Sequence, residues 1–473
     1  MRQADIDVTL SADSALSGVE AALDLAIRQL ALDAGDVEEI NGDLRFQWRD
    51  DLFNGQYDLS VSEVVSSQIS LSSIAAQGSI RGLDGFERLE VEADLSGSDL
   101  SLGTQLDKTL AGHQTNSTNT LFSPLIGKLR DGLKRHQRGS TVSGQLTARQ
   151  TGKVTSIVVP SATVRGSAGQ ELLSLSRAQF STAWANGPRV AGNLRMGGDG
   201  LPNVQGRMEQ RANGNLALQL AVAEYRAGDN AIALPQLTIE QTSDGSSQFT
   251  GLLSVSGDLG AVKVNDLELP LSGGWSARNG LSLWPNCTAA RFGTLQMASL
   301  TLEQRELTLC PPKGIPIVAM NDAGLQIAAG TPELNLSGML GQSPITVQTG
   351  AIGLAYPGVM SAQDIAIELG PQDTASRFTL SQLNASFGEA IGGNFEQATV
   401  LMEQVPLDIV DAAGNWSFAD GILTLTDGNL GVLDRAEEDR FEPLNARDAT
   451  LILADNLITA RADLRSPDSD RIV

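Results

Sequence analysis

The residue types that could bind a metal ion or act as catalytic nucleophiles are scarce in this chain. Its 473 residues include two cysteines, Cys287 and Cys310, and two histidines, His113 and His136. Structural zinc sites need four Cys or His ligands that are closely grouped, and these four residues are scattered along the sequence. We therefore predict no metal site and no cofactor.

Catalytic motifs are also missing from the sequence. It has no Gly-x-Ser-x-Gly turn, no phosphate-binding loop of the Walker type and no His-Glu-x-x-His helix. Carboxylates are plentiful, but 56 acidic against 33 basic residues give a net charge of −23, so many carboxylates are expected on the surface without a catalytic role. A surface of this charge repels phosphate backbones, which argues against nucleic-acid binding. We predict that the protein is not an enzyme and has no nucleic-acid partner.

The two cysteines form the most specific pair in the sequence. Between Cys287 and Cys310 lie two strand-like runs, Leu295–Met297 and Leu300–Leu309. If these runs fold back on each other, the two sulfur atoms come together and can form a disulfide. The alternative is a pair of buried free thiols, since free cysteine often packs as a small apolar residue. The spacing allows the disulfide, and we favour it because an oxidising compartment fits the other features of the sequence.

Most of the chain alternates between apolar and polar residues. Leu267, Leu269 and Leu271 alternate with Glu268 and Pro270 in one of many such runs. This period of two is typical of strands that are buried on one face. Asn-Gly and Asp-Gly pairs separate many of the runs and predict hairpin turns; they begin at Asn41, Asn54, Asn213, Asn279, Asp84, Asp199, Asp244, Asp420 and Asp427. With aromatic residues at only 4%, the core must consist of small aliphatic side chains.

One region breaks the alternation. Between Thr104 and Arg138 the apolar residues follow helical spacing, and they are Leu121, Phe122, Leu125, Ile126, Leu129 and Leu133. We predict a first helix with Thr104 as its N-cap and a second helix that starts at Ser123-Pro124. The polar face of the second helix is basic, which indicates a solvated face or, alternatively, a site for lipid headgroups or a partner; its residues are Lys128, Arg130, Lys134, Arg135 and Arg138.

These patterns divide the chain into three predicted parts. Residues 1–103 and 139–473 are expected to be strands, with a helical insertion at 104–138. The segment Ala15–Leu32 fits a helix or a strand, and its strand-like flanks favour a strand. Acidic residues at the beginning exclude a secretory signal there, and no apolar run reaches the 18 residues of a membrane helix. Because Arg471–Val473 resembles the start of another strand, we expect the chain to be an internal portion of a longer protein.

A repeated motif marks the C-terminal half. Gly273–Leu281 and Gly414–Ile422 share the pattern Gly-x-Trp-Ser-x-x-[Asn/Asp]-Gly-[Leu/Ile]. The pattern predicts a strand with a Trp, a tight turn and a returning strand. The apolar positions after the turn have different phases in the two copies, so we predict a bulge or register change in one of them.

Together, these motifs resemble a known family. The Trp motif, the segment Leu307-Thr308-Leu309-Cys310-Pro311 and the segment Arg440-Phe441-Glu442-Pro443-Leu444 are similar to the YdbH family, which is grouped with the AsmA-like and TamB-like proteins of Gram-negative bacteria. The resemblance implies a mostly β fold in which a long, curved antiparallel sheet forms an elongated groove. It also implies a periplasmic protein, anchored in the inner membrane outside this chain, that transfers phospholipids to the outer membrane.

The expected groove has candidate lining residues. They are Val255, Leu267, Leu269, Leu271, Leu281, Leu283, Leu300, Leu302, Leu307 and Leu309. The expected partners are phospholipid acyl chains, the two membranes through regions outside this chain, and an outer-membrane protein or lipoprotein. Two other functions fit the strand pattern: a passive structural or adhesin-like β-solenoid, and a secreted β-solenoid enzyme acting on carbohydrate. The first would bury its apolar face, and the second would need clustered carboxylates or basic residues on one sheet face.

Overall fold

The computed structural model describes residues 3–14, 17–32, 35–182, 188–211, 213–387, 391–403, 405–419, 421–438, 440–454 and 457–466. The chain divides into two compact units, Met1–Gly260 (unit 1) and Ala261–Val473 (unit 2). In the described residues we find 31 strands and two helices. The predicted mostly β, antiparallel class is thereby confirmed.

Unit 1 contains the first fifteen strands and both helices. They are β1 Gln3–Ala12, β2 Gly18–Leu32, β3 Gly35–Arg49, β4 Leu52–Val65, β5 Ile69–Leu83, β6 Arg88–Ser98, β7 Ser101–Leu102, α1 Thr104–Asn116, α2 Phe122–Arg135, β8 Thr141–Thr151, β9 Val154–Arg165, β10 Glu171–Ser181, β11 Arg189–Met196, β12 Val204–Gln210, β13 Leu216–Ala227, β14 Asn230–Gln241 and β15 Ser247–Asp258.

Unit 2 contains the remaining sixteen strands. They are β16 Lys263–Ser276, β17 Gly280–Leu283, β18 Thr288–Met297, β19 Leu300–Leu309, β20 Val318–Asn321, β21 Gly324–Thr331, β22 Leu334–Leu340, β23 Ser343–Thr349, β24 Ile352–Tyr356, β25 Val359–Leu369, β26 Ser376–Phe387, β27 Ile391–Leu401, β28 Leu407–Ala419, β29 Ile422–Asp434, β30 Leu444–Ala454 and β31 Leu457–Arg465.

In unit 1 the strands pair antiparallel in chain order. Each strand from β1 to β6 pairs with the next, β6 pairs with β8 across the helical insertion, and the order continues to β15. The short strand β7 pairs with the start of β5. Of the ambiguous segment Ala15–Leu32, Gly18–Leu32 is the strand β2, as the flanks predicted, and residues 15 and 16 lie outside the described residues.

In unit 2 the sheet has a seam. The long strand β16 pairs with β18 through Lys263–Glu268 and with β17 through Gly273–Ser276. Two series of shorter strands then run side by side, one through β18, β19, β22 and β23, the other through β17, β20, β21 and β24. Both series end on the long strand β25, after which the strands pair in chain order to β31.

Three of the predicted turns lie inside strands instead. Asn41-Gly42 is in β3, Asn54-Gly55 in β4 and Asp427-Gly428 in β29. In β4 the glycine gives room to an aromatic ring, because a Cβ at Gly55 would lie 2.7 Å from Cδ1 of Phe46 on the neighbouring strand. The pair that begins at Asp420 lies partly outside the described residues, as does Arg471–Val473.

The helix starts differ by small shifts from the prediction. Gly103 caps α1, which begins at Thr104, so Thr104 as N-cap is wrong. Helix α2 begins at Phe122 after Leu121, and Pro124 therefore occupies the first turn. None of the described helices is long and apolar enough to cross a membrane.

The two copies of the Trp motif are both strand–turn–strand units. In the first copy Ser276 pairs with Gly280, leaving a three-residue loop; in the second, Ala419 pairs with Ile422 across two residues. The extra loop residue explains the phase difference that the sequence shows. Gly280 and Gly421 both have positive φ, at 72° and 78°, a conformation that glycine adopts at little cost.

Candidate functional site

An uninterrupted row of apolar residues crosses unit 1. Following the strand register from β1 to β15, each member pairs with the next on the neighbouring strand. The row extends over fourteen strands and contains no polar side chain. Its members are Ile6, Leu25, Gly42, Leu59, Ala76, Leu95, Gly144, Ala162, Leu175, Leu194, Gly206, Leu220, Leu237 and Gly251.

A second apolar row runs beside the first on the same face. It crosses thirteen strands, β1 to β14 without β7, and consists of Ala4, Ile27, Ile40, Val61, Ile74, Gly97, Val142, Val164, Leu173, Met196, Val204, Val222 and Leu234. Because alternate residues of a strand face opposite sides of the sheet, the residues that alternate with the members of these rows lie on the other face. That other face is polar, as shown by the paired row Asp7, Asp24, Asp43, Asp58, Gln77 and Asp94.

The polar row contains a close carboxyl pair. The pKa of Asp24 is raised by its hydrogen bond with Asp43, by partial desolvation and by the negative charge of both neighbours in the row. Farther along, Gln77 donates a hydrogen bond to Asp58 at 3.0 Å, and Gln145 donates one to Asp94 at 3.1 Å. These interactions link neighbouring strands through side chains on the polar face.

The apolar face of unit 1 is open rather than packed. Leu95 and Leu194, both members of the first row, are 38% and 37% exposed. On strands β9–β13 the face forms a concave cavity of about 490 Å³, lined chiefly by Ile157, Leu175, Phe180, Leu194, Leu218 and Leu220. Soluble proteins rarely leave a contiguous apolar surface of this extent without a binding function.

Bulges keep the apolar side chains on one face where the strands bend. Nine strand residues have positive φ near 50°, and they are Gln29, Glu63, Arg177, Asp266, Asp364, Gln397, Asp411, Asp427 and Asp448. In each case the residues two before and one after are apolar or glycine. Thus Ala362 and Ile365 are both buried, while Gln363 and Asp364 between them are exposed. The left-handed residue shifts the alternation by one position, which bends the strand without exposing its apolar side.

Unit 2 has comparable apolar rows. One crosses eight strands and consists of Leu336, Val347, Ile367, Phe378, Val400, Ile409, Val432 and Leu444. Another crosses six strands, from Val264 through Leu295, Leu302, Gly338 and Ile345 to Leu369. Each unit therefore has a sheet face built from aliphatic and small residues.

Helix α2 lies along the strand ends of unit 1. Its buried residues are Leu125 and Gly132, and the preceding Leu121 is fully buried and donates its backbone N–H to Asp258 at 2.6 Å. The Nζ atom of Lys128 donates to the Arg226 carbonyl at 2.7 Å and lies 5.0 Å from the centre of the Tyr225 ring. The predicted apolar stripe thus packs on the sheet, except that Phe122 is 46% exposed.

The basic face of α2 is largely paired within the protein. Arg130 and Lys134 both contact the Asp107 carboxylate of α1, at 2.8 and 3.3 Å, and these hydrogen bonds, the one from Arg130 above all, lower the pKa of Asp107. Arg135 forms an ion pair with Asp199. These side chains join the helices to each other and to the sheet, a role that is neither of the two expected ones.

A disulfide lies on the seam of unit 2. Cys287 and Cys310 are bonded next to the last pair of the β18–β19 hairpin, Thr288 with Leu309. Cys310 also exchanges two backbone hydrogen bonds of 2.8 Å with Gly330 in β21, which belongs to the other series of short strands. The bond therefore fixes the place where the two series meet.

The Arg440 motif also has a structural role. Arg440 donates from its side chain to Asp434 at 2.8 and 2.9 Å and from its backbone at 2.7 Å, which closes the β29–β30 connection. These hydrogen bonds, with one from the Ala436 backbone, hold the pKa of Asp434 well below its ordinary value. The Asp434 side chain is only 1% exposed.

The ten candidate residues lie in four strands. Val255 in β15 and Leu302 in β19 are buried, and the other eight are half-buried. Leu302 belongs to the six-strand row of unit 2. Leu281 pairs with Trp275 and Met320, and Leu283 pairs with Gly273 and Val318. Leu307 pairs with Ala290. Val255 pairs with Ile232 below α2, in the packed part of unit 1.

Sequence reasoning missed the rows of unit 1. The ten predicted residues begin only at Val255, although β1 to β6 also alternate between apolar and polar residues. The signal was present on β1. Ile6 is the first member of the first row, and Val8 and Leu10 follow it on the same face of the strand. What the sequence did not show is which of these strands are neighbours, and only the register turns separate alternations into a continuous surface.

No cluster of three or more His, Cys, Asp or Glu that could hold a metal ion occurs in the described part of the chain. A sequence profile described as YdbH-like, intermembrane phospholipid transport protein YdbH, matches residues 2–472. The chain belongs to the YdbH-like family. No curated protein and no solved structure matches it.

Membership of the YdbH-like family agrees with the apolar sheet faces. The family is one of intermembrane phospholipid transport, and phospholipid acyl chains require an apolar surface in an aqueous setting. The resemblance inferred from the Trp, Leu-Cys-Pro and Arg440 motifs is confirmed by the profile.

Proposed function

We propose that this chain carries phospholipids across the periplasm, between the inner and outer membranes. It would act as a bridge along which acyl chains slide on the apolar sheet faces. The observation that supports it best is the fourteen-strand row of unit 1, which is free of polar side chains and partly open to solvent. Headgroups remain in water, so the process needs no catalytic residue, cofactor or metal ion.

The apolar rows match the chemistry of an acyl chain. Burying hydrocarbon against Leu, Val and Ile is favourable by roughly 25 cal/mol per Å² of apolar surface removed from water. An open face delivers this gain only when a ligand covers it. In a passive structural protein the same residues would already be packed against another layer, and Leu95 and Leu194 would not be more than a third exposed.

The experiment is extraction and mass spectrometry of the lipids bound to purified protein. A matched pair of variants on β6 tests the face itself. Leu95→Asp places a charge on the apolar face, whereas Ser96→Asp adds the same charge one residue later, on the polar face. Both positions are exposed, so neither change requires a buried charge in the absence of lipid.

We expect Leu95→Asp to lower the bound lipid at least several-fold, because an unpaired charge beneath an acyl chain cannot be desolvated cheaply. Ser96→Asp should leave it unchanged. If the parent protein carries no lipid, or if a folded Leu95→Asp variant carries as much as the parent, this function is excluded for unit 1. A loss of lipid transport between vesicles with Leu95→Asp alone would support the bridge.

A further inference from the structure

A small apolar chamber lies between α2 and the sheet of unit 1, apart from the open cavity described above. Its volume is about 200 Å³. The sheet contributes Leu173 and Met196, the helix contributes Leu133, and the segment before α1 contributes Leu100 and Leu102.

The floor of the chamber belongs to the apolar face. Val164, Leu173 and Met196 are consecutive members of the second apolar row, on β9, β10 and β11. Leu173 is 36% exposed despite lying below a helix. The chamber is therefore a roofed part of the same surface that is open elsewhere.

The roof, helix α2, is held in place by contacts at both of its ends. The ring of His136, at the end of α2, bonds through Nε2 to the Asp199 carbonyl at 2.9 Å and through Nδ1 to the Gln170 amide at 3.1 Å. These partners lie in the β11–β12 and β9–β10 connections. Together with the Leu121 and Lys128 contacts at the other end of the helix, they fix α2 over the chamber, so the cavity is preformed.

Three of the polar side chains at the chamber wall, those of Ser101, His136 and Ser140, already have partners. Ser140 donates its hydroxyl to the Gln137 carbonyl at 2.8 Å and accepts the Leu100 N–H at 2.8 Å. Ser101 shares a hydrogen bond of 2.6 Å with Ser70, and both ring nitrogens of His136 are engaged. Buried water needs several free polar partners, whereas apolar cavities of about 150 Å³ stay dry and accept hydrocarbon.

We propose that this chamber is an acyl-chain site, in which a phospholipid chain passes beneath α2 and is enclosed on both sides. The proposal rests on the proposed function and deepens it, because it assigns to the helical insertion the role of enclosing the lipid tail that the open face leaves exposed. The occupant is hydrocarbon, since the lining offers no charge and no free hydrogen-bonding group among the side chains named above.

Photolabelling of the wild-type chain tests this directly. A phosphatidylethanolamine with a diazirine near the end of one acyl chain is bound to the purified protein, irradiated, and the labelled peptides are identified by mass spectrometry. We expect label on the peptides that contain Leu133 and Leu173, in the chamber, and on the peptide with Leu218 and Leu220, in the open cavity.

Two variants on β10 sharpen the result. Leu173→Trp fills the chamber and should reduce labelling of the Leu133 peptide at least tenfold while leaving the Leu220 peptide labelled. Ser174→Trp adds the same bulk on the polar face and should change neither. Folding of both variants is checked by circular dichroism.

The outcomes separate the two proposals. Label at Leu220 without label at Leu133 in the wild-type protein overturns the chamber and leaves the open face intact. Absence of label at both positions overturns the chamber and the proposed function together. Equal labelling of the Leu133 peptide in folded Leu173→Trp also overturns the chamber as a site.

Discussion

Gly132 of α2 lies directly against Gly200 of the β11–β12 connection. A Cβ placed on Gly132 would sit 2.6 Å from the carbonyl oxygen of Gly200, a distance that backbone atoms cannot tolerate without moving. Because glycine has no side chain, the helix can approach the sheet this closely. This contact determines how tightly α2 is seated over the strand ends.

Replacing Gly132 by alanine should therefore destabilise unit 1. Alanine raises helix propensity by about 1 kcal/mol, but displacing packed backbone typically costs about 1–3 kcal/mol, so the net free energy of unfolding should fall. Gly112→Ala in α1 is the control, because nothing lies within 4 Å of its added Cβ, and it should raise stability by about 0.5–1 kcal/mol. Urea denaturation of both variants measures the difference; a gain for Gly132→Ala would contradict the close packing.

Leu125→Ala tests whether α2 is packed as a core element. Leu125 is 5% exposed, and truncating a buried leucine costs about 2–5 kcal/mol. Leu129, on the same stripe but only half-buried, should cost less when it is replaced by alanine. Thermal melting ranks the two variants, and an equal or reversed order would mean that the helix is seated differently.

The disulfide should stabilise unit 2 without being needed for lipid binding. Closing a loop with a sequence separation of 23 is worth roughly 3 kcal/mol in the chain-entropy model. In the double variant Cys287→Ser with Cys310→Ser, the free energy of unfolding should fall by about that amount. The variant should therefore unfold at a lower denaturant concentration. Its lipid content, measured in the folded range, should equal that of the parent; two freely alkylated thiols in the unreduced parent would show that the bond does not form.

The Asp434–Arg440 connection predicts a pH dependence. Because the folded pKa of Asp434 is depressed, chiefly by the Arg440 side chain, this group stabilises the fold above its unfolded pKa of about 4 and loses that contribution as the pH falls towards the folded value. Asp434→Asn should be less stable than the parent at pH 7, and the gap should narrow below pH 4. Denaturation curves at pH 7 and pH 3 test this, and a constant gap would argue against the interaction.

On the apolar side of unit 2, Leu269→Asp should reduce bound lipid. Leu269 is half-buried and Glu268, its exposed neighbour, pairs with Arg291 on β18. Glu268→Gln removes a charge from the polar face and should leave the lipid content unchanged. Circular dichroism comes first, since Leu269→Asp in a closed core would unfold the unit; a folded variant with full lipid content would exclude this strand from the path.

How far the sequence predicts this molecule depends on the range of the interaction. Alternation around Leu267 and the helical stripe around Leu125 are local, and both were predictable. The bulge at Asp266 is also local, but its signal in the sequence is weak. The apolar residues Val264 and Leu267 are three positions apart instead of two, and a turn would give the same spacing. Asn41-Gly42 was misleading because its glycine leaves room for the Leu59 side chain on the next strand, a partner that lies far along the sequence.

The candidate site was less predictable for the same reason. Which faces join into rows depends on pairings such as Leu95 with Gly144, which span the whole helical insertion. The seam of unit 2 could not be anticipated either, because it requires β16 to divide its pairing between β17 and β18. Only the disulfide, whose partners flank a hairpin, revealed part of that arrangement in advance.

The regularity of the fourteen-strand row has a consequence for motion. For an acyl chain lying across it, a step from one strand to the next is about 4.8 Å and exchanges one set of apolar contacts for another without meeting a polar side chain. The row therefore presents no polar barrier to the lipid between its first and its last strand. Thirteen such steps cover about 60 Å by diffusion alone, so a preferred direction has to be imposed where lipid enters or leaves.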